Sequence, residues 1–444
     1  MDDMTTGMIG RLENYFDRLG ELLGDEERRA SFATYATGIL SDAERKSVEP
    51  IAARACADPE RADAEHQRLL HFLVNTQWSD RCVRKASSRF ALSAMTERED
   101  VEAWIVDDTG FLKQGTHSVG VQRQYTGSAG KVTNCQLGVS LTVATRSEQV
   151  PVDFDLYLPK SWTSNRRRRK EAQIPATVHF ATKPELALRM IRRALDAELP
   201  RGVVLADCAY GGATEFRAEL RRLELDYAVA VNPTTKVRRV GRDGVCRGKP
   251  HRLKTLAFQL LKEGTFRRCT WRQGTRRDLS ALFARVRVQV GDDERVTLLI
   301  EWRDHEPEPA NYFFIWMAKI PPATKQLVRL VMQRWRTERA YQDLKGELGL
   351  DHYEGRRYPG WHHHISVVLA CYAFIIAERA RLFPPTARRS VVAAQDGVAP
   401  RAPLPGQLHH CPACGRPDHR PLATEVPLLP SQDDKRKEWL EVTQ

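Results

Sequence analysis

The apolar residues of this chain change their spacing near residue 98, and that change constrains the fold more than any other feature. Upstream they recur every three or four positions. Leu12, Phe16, Leu19 and Leu23 make one stripe and Leu69, Phe72 and Leu73 another, with Ser79 or Asp80 placed to cap a following helix. Downstream, Trp104-Ile105-Val106-Asp107 is a short apolar run ending in acid. Leu137, Val139, Leu141 and Val143 alternate with polar residues, as do Val152, Phe154, Leu156 and Leu158. A period of two belongs to strands with one buried face. Thr182-Lys183-Pro184-Glu185 has the form of a capping box, opening a helix that carries Leu186, Leu188, Met190, Ile191 and Leu195. A second apolar run ending in acid, Val203-Val204-Leu205-Ala206-Asp207, comes next. A helix through Phe216, Leu220 and Leu223 and a strand from Tyr227 to Val231 follow. Three strands and then alternation predict an α/β fold, a mixed sheet with helices packed on it.

At 444 residues the chain is too long for one simple core, and the pattern divides it into five segments. Residues 1–98 read as an all-helical N-terminal domain, and 99–232 as the first part of the α/β core. Residues 233–322 read as a β-rich insertion, with Arg238-Arg239, Arg267-Arg268 and Arg276-Arg277 among strand-like runs such as Leu282 to Val290, Val296 to Trp302 and Tyr312 to Met317. Helical spacing returns over 323–385. After Phe383-Pro384-Pro385 the composition turns to Pro, Arg and polar residues, so 386–444 reads as a linker and tail.

Lys and Arg number 69 against 57 Asp and Glu, a formal net charge of +12 that points to an anionic partner, nucleic acid above all. The N-terminus carries Asp2 and Asp3 rather than a basic and then apolar leader, so no signal peptide is expected. The most apolar run, Ile365 to Ala377, is too short to span a bilayer and reads as a buried helix, so no membrane partner is expected. Nine mostly scattered cysteines fit a reducing compartment.

Three acids stand out. Asp107 and Asp207 each end a buried apolar strand, where open sheets of this kind hold their sites. Asp107 is preferred to Asp108 because it shares the parity of Ile105, whereas Asp108 points to the other face. The third, Glu338, lies in Arg334-Trp335-Arg336-Thr337-Glu338-Arg339-Ala340-Tyr341-Gln342-Asp343-Leu344-Lys345. As a helix, that segment puts Arg334, Glu338, Tyr341 and Lys345 in one stripe, an acid flanked by two cations. The set suits a divalent metal and a phosphodiester held together. Three converging carboxylates repel unless a cation lies between them, and hard oxygen ligands suit two Mg²⁺ or Mn²⁺ ions.

These residues resemble those of the DDE transposases of bacterial insertion sequences that carry the Y-R-E-K signature, most nearly the insertion-sequence-701 type. Arg334, Glu338 and Lys345 fall on the last three signature positions, while Val331 stands at the Tyr position. The blocks Asp107-Asp108-Thr109-Gly110-Phe111, Gly115-Thr116-His117-Ser118, Gln124-Tyr125 and Asn134-Cys135-Gln136 are similar to the family's first-acid region. Leu158-Pro159 with Trp162, Thr182 to Glu185, Glu347 to Asp351 and Tyr353 to Arg356 extend the likeness over roughly residues 10 to 380.

The resemblance implies a ribonuclease-H-like core interrupted by the β-rich insertion. It also implies catalytic and metal-binding roles for Asp107, Asp207 and Glu338, with Asp107 bridging two Mg²⁺ ions and the other two acids each holding one. Arg334 and Lys345 would grip phosphates. The implied reaction is hydrolytic cleavage at transposon ends and attack of the freed 3′-hydroxyl on target DNA. The implied partner is double-stranded DNA, bound by a homodimer in the bacterial cytoplasm at the nucleoid, with the N-terminal helices reading the terminal repeats. Two other classes remain: a non-catalytic regulator descended from a transposase, and a nuclease of the same fold.

Further signals stand apart from the acids. The run Arg166-Arg167-Arg168-Arg169-Lys170 is a candidate DNA-backbone contact, as is Arg81-Cys82-Val83-Arg84-Lys85. Cys411, Cys414, His419 and His410 (or His409) have the residue types of a Zn²⁺ knuckle. Trp271, Trp302 and Trp316 read as core, and His362-His363-His364 as interfacial and without metal.

Overall fold

The computed structural model describes residues 2–246, 248–273 and 278–382; the tail with its four candidate zinc ligands lies outside them, as do Arg276 and Arg277. Five helices come first: α1 (Asp2–Glu21), α2 (Glu26–Leu40), α3 (Val48–Ala55), α4 (Ala62–Val74) and α5 (Asp80–Thr96). Ser79 caps α5 by accepting from the Cys82 amide. Four strands follow, β1 (Ala103–Leu112), β2 (Gln122–Thr126), β3 (Lys131–Ala144) and β4 (Gln149–Tyr157), where the alternation predicted three. The extra one, β2, reads Gln-Arg-Gln-Tyr-Thr and lies mostly exposed, so it carries no buried face to give it an apolar period.

The chain continues through α6 (Lys160–Thr163), α7 (Arg166–Glu171) and α8 (Lys183–Asp196), the last opened by the full Thr182/Glu185 capping box. Then come β5 (Val203–Ala206), α9 (Cys208–Gly211), α10 (Thr214–Arg222) and β6 (Tyr227–Ala230). Next are β7 (Lys236–Arg239), β8 (His251–Arg252), α11 (Leu253–Lys262), β9 (Arg267–Gln273), β10 (Asp278–Val290), β11 (Glu294–Trp302) and β12 (Asn311–Trp316). Three helices close the described chain: α12 (Thr324–Val331), α13 (Trp335–Gly346) and α14 (Tyr358–Leu382).

The fold is a mixed α/β one with a ribonuclease-H-like centre. Its core order is β4-β3-β1-β5-β6: β3 runs antiparallel to β4 and to β1, while β1, β5 and β6 run parallel. The strands of 233–322 do not build a separate sheet. β12 pairs antiparallel with β6, and β11, β10, β7 and β8 continue outward, giving one twelve-stranded sheet. A strand edge presents a row of unpaired amides and carbonyls, and β12 covers that of β6.

Both faces of the sheet are buried. Trp104, Val106, Val139, Leu141 and Val143 join the large core that includes the N-terminal helices, α8 and α14. Ile105, Leu205, Ala228, Phe313 and Ile315 meet Leu327, Val328 and Val331 of α12 in a second core. Val331 is only 2% exposed there, which gives the departure from the signature Tyr a plain physical role: it fills apolar space.

Two expectations are corrected. Arg84 is no phosphate contact; it is buried, with its guanidinium on Asp80 (2.7 Å), Asp153 (3.2 Å) and Ser366 (2.7 Å). It ties α5 to β4 and α14. His362, His363 and His364 lie inside the protein rather than at an interface. His364 donates to the Gly349 carbonyl (3.1 Å) and pairs with the Tyr35 hydroxyl (2.9 Å), and burial pushes its pKa down to about 3. Trp302 packs in the core, Trp271 sets its edge on Phe283, and Trp316 stacks on Tyr227.

Candidate active site

Strand register alone brings the first two acids side by side. Val106 of β1 pairs with Ala206 of β5, the last residue of that strand, so Asp107 and Asp207 follow a paired position; Asp107 does not end its strand as expected, because β1 runs on to Leu112 against β3. Asp207 lies one residue past β5 rather than in it, as the cap of α9, and accepts from the Ala209 amide at 2.8 Å. Asp107 stays within β1; its Oδ1 accepts from the Asp108 amide (2.8 Å), and its Oδ2 lies 3.6 Å from Nη2 of Arg334. Burial pushes the Asp107 carboxyl up to about 7. Arg334 opposes that rise, and the negative charges of Asp207 and Asp108 add to it.

Parity separates the tandem acids. Asp107 turns to Arg334, whereas Asp108 turns to α8 and α9, where it accepts from Lys183 Nζ (2.8 Å) and the Tyr210 hydroxyl (3.1 Å). Asp108 therefore has a cation of its own. Burial holds the Tyr210 hydroxyl well above its ordinary pKa, so it remains a donor at neutral pH.

The segment carrying Glu338 lies along β1. Arg334, in the turn before α13, meets Asp107. About two turns on, the Tyr341 hydroxyl bonds Ser140 Oγ at 2.7 Å, and Ser140 is the cross-strand partner of Asp107. At the far end Lys345 Nζ donates to the Gly110 carbonyl (2.7 Å) and to Ser128 Oγ (3.3 Å), with the Phe111 ring centre 5.4 Å away. Burial lowers the Lys345 pKa. The stripe read from the sequence is thus laid against residues 107–110.

Glu338 lies within that stripe, between Arg334 and Tyr341, but its side chain is exposed. Among the described residues no three His, Cys, Asp or Glu side chains gather into a metal-holding group. The donor set nonetheless fits a hard divalent cation. The desolvated Asp107 carboxyl feels the charge of the half-exposed Asp207 and has Arg334 as its facing cation, and Arg334 Nε is itself buried without a partner.

The basic run of 166–170 forms α7, and its members differ. Arg169 donates to the Val178 (2.8 Å) and Pro175 (2.7 Å) carbonyls, Arg168 stacks on Trp162 and Arg167 pairs with Glu171. Arg166 and Lys170 are exposed at the ends.

A family model described as a DDE superfamily endonuclease matches residues 18–278, more than half of the chain. The chain belongs to the DDE endonuclease superfamily. A curated relative, the "Probable transposase for insertion sequence element IS701" of Microchaete diplosiphon, is 26% identical over 256 residues, which is 57% of this chain and 62% of that protein. The match to the DDE model includes Asp107 and Asp207 and stops before Glu338. In this DDE endonuclease three supporting residues carry no local signal of their role: Lys183 has the pattern of a capping box, and Tyr210 and Ser128 stand in no motif. Their contacts with Asp108 and Gly110 cross 75, 102 and 18 residues respectively, and spacing along the chain does not encode such contacts.

Proposed function

We propose that this chain is the DNA transposase of a bacterial insertion sequence. On this reading it binds the element's ends as a homodimer in the bacterial cytoplasm, cleaves phosphodiester bonds there, and joins the 3′-hydroxyl ends to target DNA. One observation carries the reading: Asp107, its carboxyl desolvated and facing Arg334, lies where β1 and β5 part beside Asp207 at the end of β5, with the Arg334–Lys345 segment laid along β1. Membership of the DDE endonuclease superfamily and the similarity to an insertion-sequence transposase support it. No helix among the described residues is long and apolar enough to cross a membrane.

Asp107 and Asp207 would hold divalent metal, Mg²⁺ or Mn²⁺, with Glu338 completing the set from α13. Bound there, the metal supplies an activated oxygen nucleophile and charge stabilisation for the departing oxygen. The protein's own residues do the rest. Arg334, whose Nε lacks a partner, would turn to a phosphate oxygen once Asp107 is neutralised by a cation. Lys183 and Tyr210 engage Asp108 and so would keep it from competing with Asp107 for a cation. Tyr341 fixes α13 to β3 through Ser140.

The test is Mg²⁺-dependent cleavage of a plasmid carrying the gene with its flanking DNA. Glu338→Gln should lower the cutting rate by at least a hundredfold with binding retained; unchanged cutting would overturn the proposal. Joining of pre-cut ends to a target plasmid separates a transposase from a nuclease, which cuts and never joins.

A further inference from the structure

From Thr109 to Ser147 the sequence contains no Asp or Glu, although 57 of the 444 residues are acidic. That stretch includes the hairpin of β2 and β3, an arm at the edge of the sheet. Its tip folds back onto the strand bearing Asp107. Ser128 Oγ accepts from the Gly110 amide (3.2 Å), shares a hydrogen bond with Thr109 Oγ1 (3.1 Å) and meets Lys345 Nζ. A Cβ at Gly110 would lie 2.1 Å from Thr126 Oγ1, so this close approach requires glycine. The arm is thereby locked to β1 three residues past Asp107, and through Lys345 to the helix of Glu338.

The outer face of this arm is not that of an ordinary hairpin. Tyr125 is 62% exposed and Val132, its direct cross-strand partner, 53%. Arg123, on the same face as Tyr125, and Lys131, at the base of the turn, are both exposed. Thr126 turns to Gly110, so by alternation Tyr125 and Arg123 face outward, away from β1. An aromatic ring on an apolar neighbour, with Arg123 on the same face, Lys131 at the turn beside it and no carboxylate in the stretch, matches a single nucleic-acid strand, with a base on the ring and phosphates on the cations. A protein partner would give no reason for the missing acids.

We propose that the β2–β3 arm is a contact for a DNA strand next to the acids, with Tyr125 as the stacking residue and Arg123 and Lys131 as phosphate contacts. This rests on the reading of the protein as a DNA-cleaving enzyme, but its test needs no cleavage. Binding of a fluorescein-labelled twenty-nucleotide oligothymidylate to the full chain is measured in EDTA by anisotropy, beside a thirty-base-pair duplex. Tyr125→Ala should weaken oligothymidylate binding by about tenfold and duplex binding by much less, and Tyr125→Trp should restore it. Arg123→Ala with Lys131→Ala should flatten the slope of log K against log salt by about 1.4 for the single strand. Tyr125 is exposed, so a folded Tyr125→Ala protein, checked by circular dichroism, is expected. Oligothymidylate binding unchanged in both variants overturns the proposal, and so does equal weakening on duplex and single strand in Tyr125→Ala. Glu338→Gln serves as the control: if it still cuts DNA the enzymatic reading fails, whatever the arm does.

Discussion

Replacing Asp107 with Asn should make the metal-free protein more stable at alkaline pH, although it deletes a candidate catalytic group. Unfolded, the carboxyl ionises near its ordinary 3.8; folded, burial together with the charges of Asp207 and Asp108 moves it to about 7. Between those values the folded protein keeps a proton that the unfolded chain has released. Raising the pH through that window therefore disfavours folding, and the effect levels off above about 7. At pH 8 the full difference corresponds to about 4 kcal/mol, an upper value because a buried site relaxes around a charge. The Asn side chain does not ionise and escapes this cost. Urea denaturation of the two proteins in EDTA, at intervals from pH 4 to 8, reads the effect. The Asn variant should gain on the wild type as pH rises, by up to about 4 kcal/mol, with most of the gain below pH 7. Other titrating groups cancel in the comparison. Magnesium should then stabilise the wild type more at pH 8 than at pH 5.5 and leave the variant unmoved. A stability difference that stays flat with pH would refute the argument, because it would mean that Asp107 is ionised in the folded protein without a metal.

Two further substitutions probe how the site is supported. A Cβ at Gly138 would meet Phe154 Cε1 at 2.2 Å and Phe111 Cε2 at 3.0 Å, so Gly138→Ala should cost about 1–3 kcal/mol in urea denaturation by wedging the layer beneath α13. Glu294 of β11 takes Arg217 at 2.9 and 2.7 Å, Tyr227 at 2.9 Å and Arg221, all within the interior. Glu294→Ala should cost about 3–5 kcal/mol by leaving buried Arg217 without its partner, read as a lowered thermal midpoint.

Much of the site was legible before any coordinates. Asp107 and Asp207 could be found because each follows a short apolar run, and the period-two parity of a strand separates Asp107 from Asp108. Their opposite partners, Arg334 for one and Lys183 with Tyr210 for the other, agree with that parity. The helical stripe of Arg334, Tyr341 and Lys345 was legible for the same reason: the 3.6-residue period is a local property. The arm was harder to see. Strand β2 has no buried face, so its apolar pattern is silent, and only its lack of acids marks it. Arg84 misled because a run of basic residues says nothing about which of them faces inward; α5 packs that one against Asp153 of β4.

The sequence by itself determined most of the elements and marked the candidate acids, because strand period, helix period and caps are set by neighbours a few residues away. Tertiary structure alone decided the rest. It continued the sheet from β6 into β12, set Asp107 beside Asp207 through the pairing of β1 with β5, and gave Lys345 the carbonyl of Gly110. The physical reason is that a buried charge or an open strand edge must find a partner. Which partner it finds is settled by what the packed chain brings within a few ångströms, across separations that no local pattern spans.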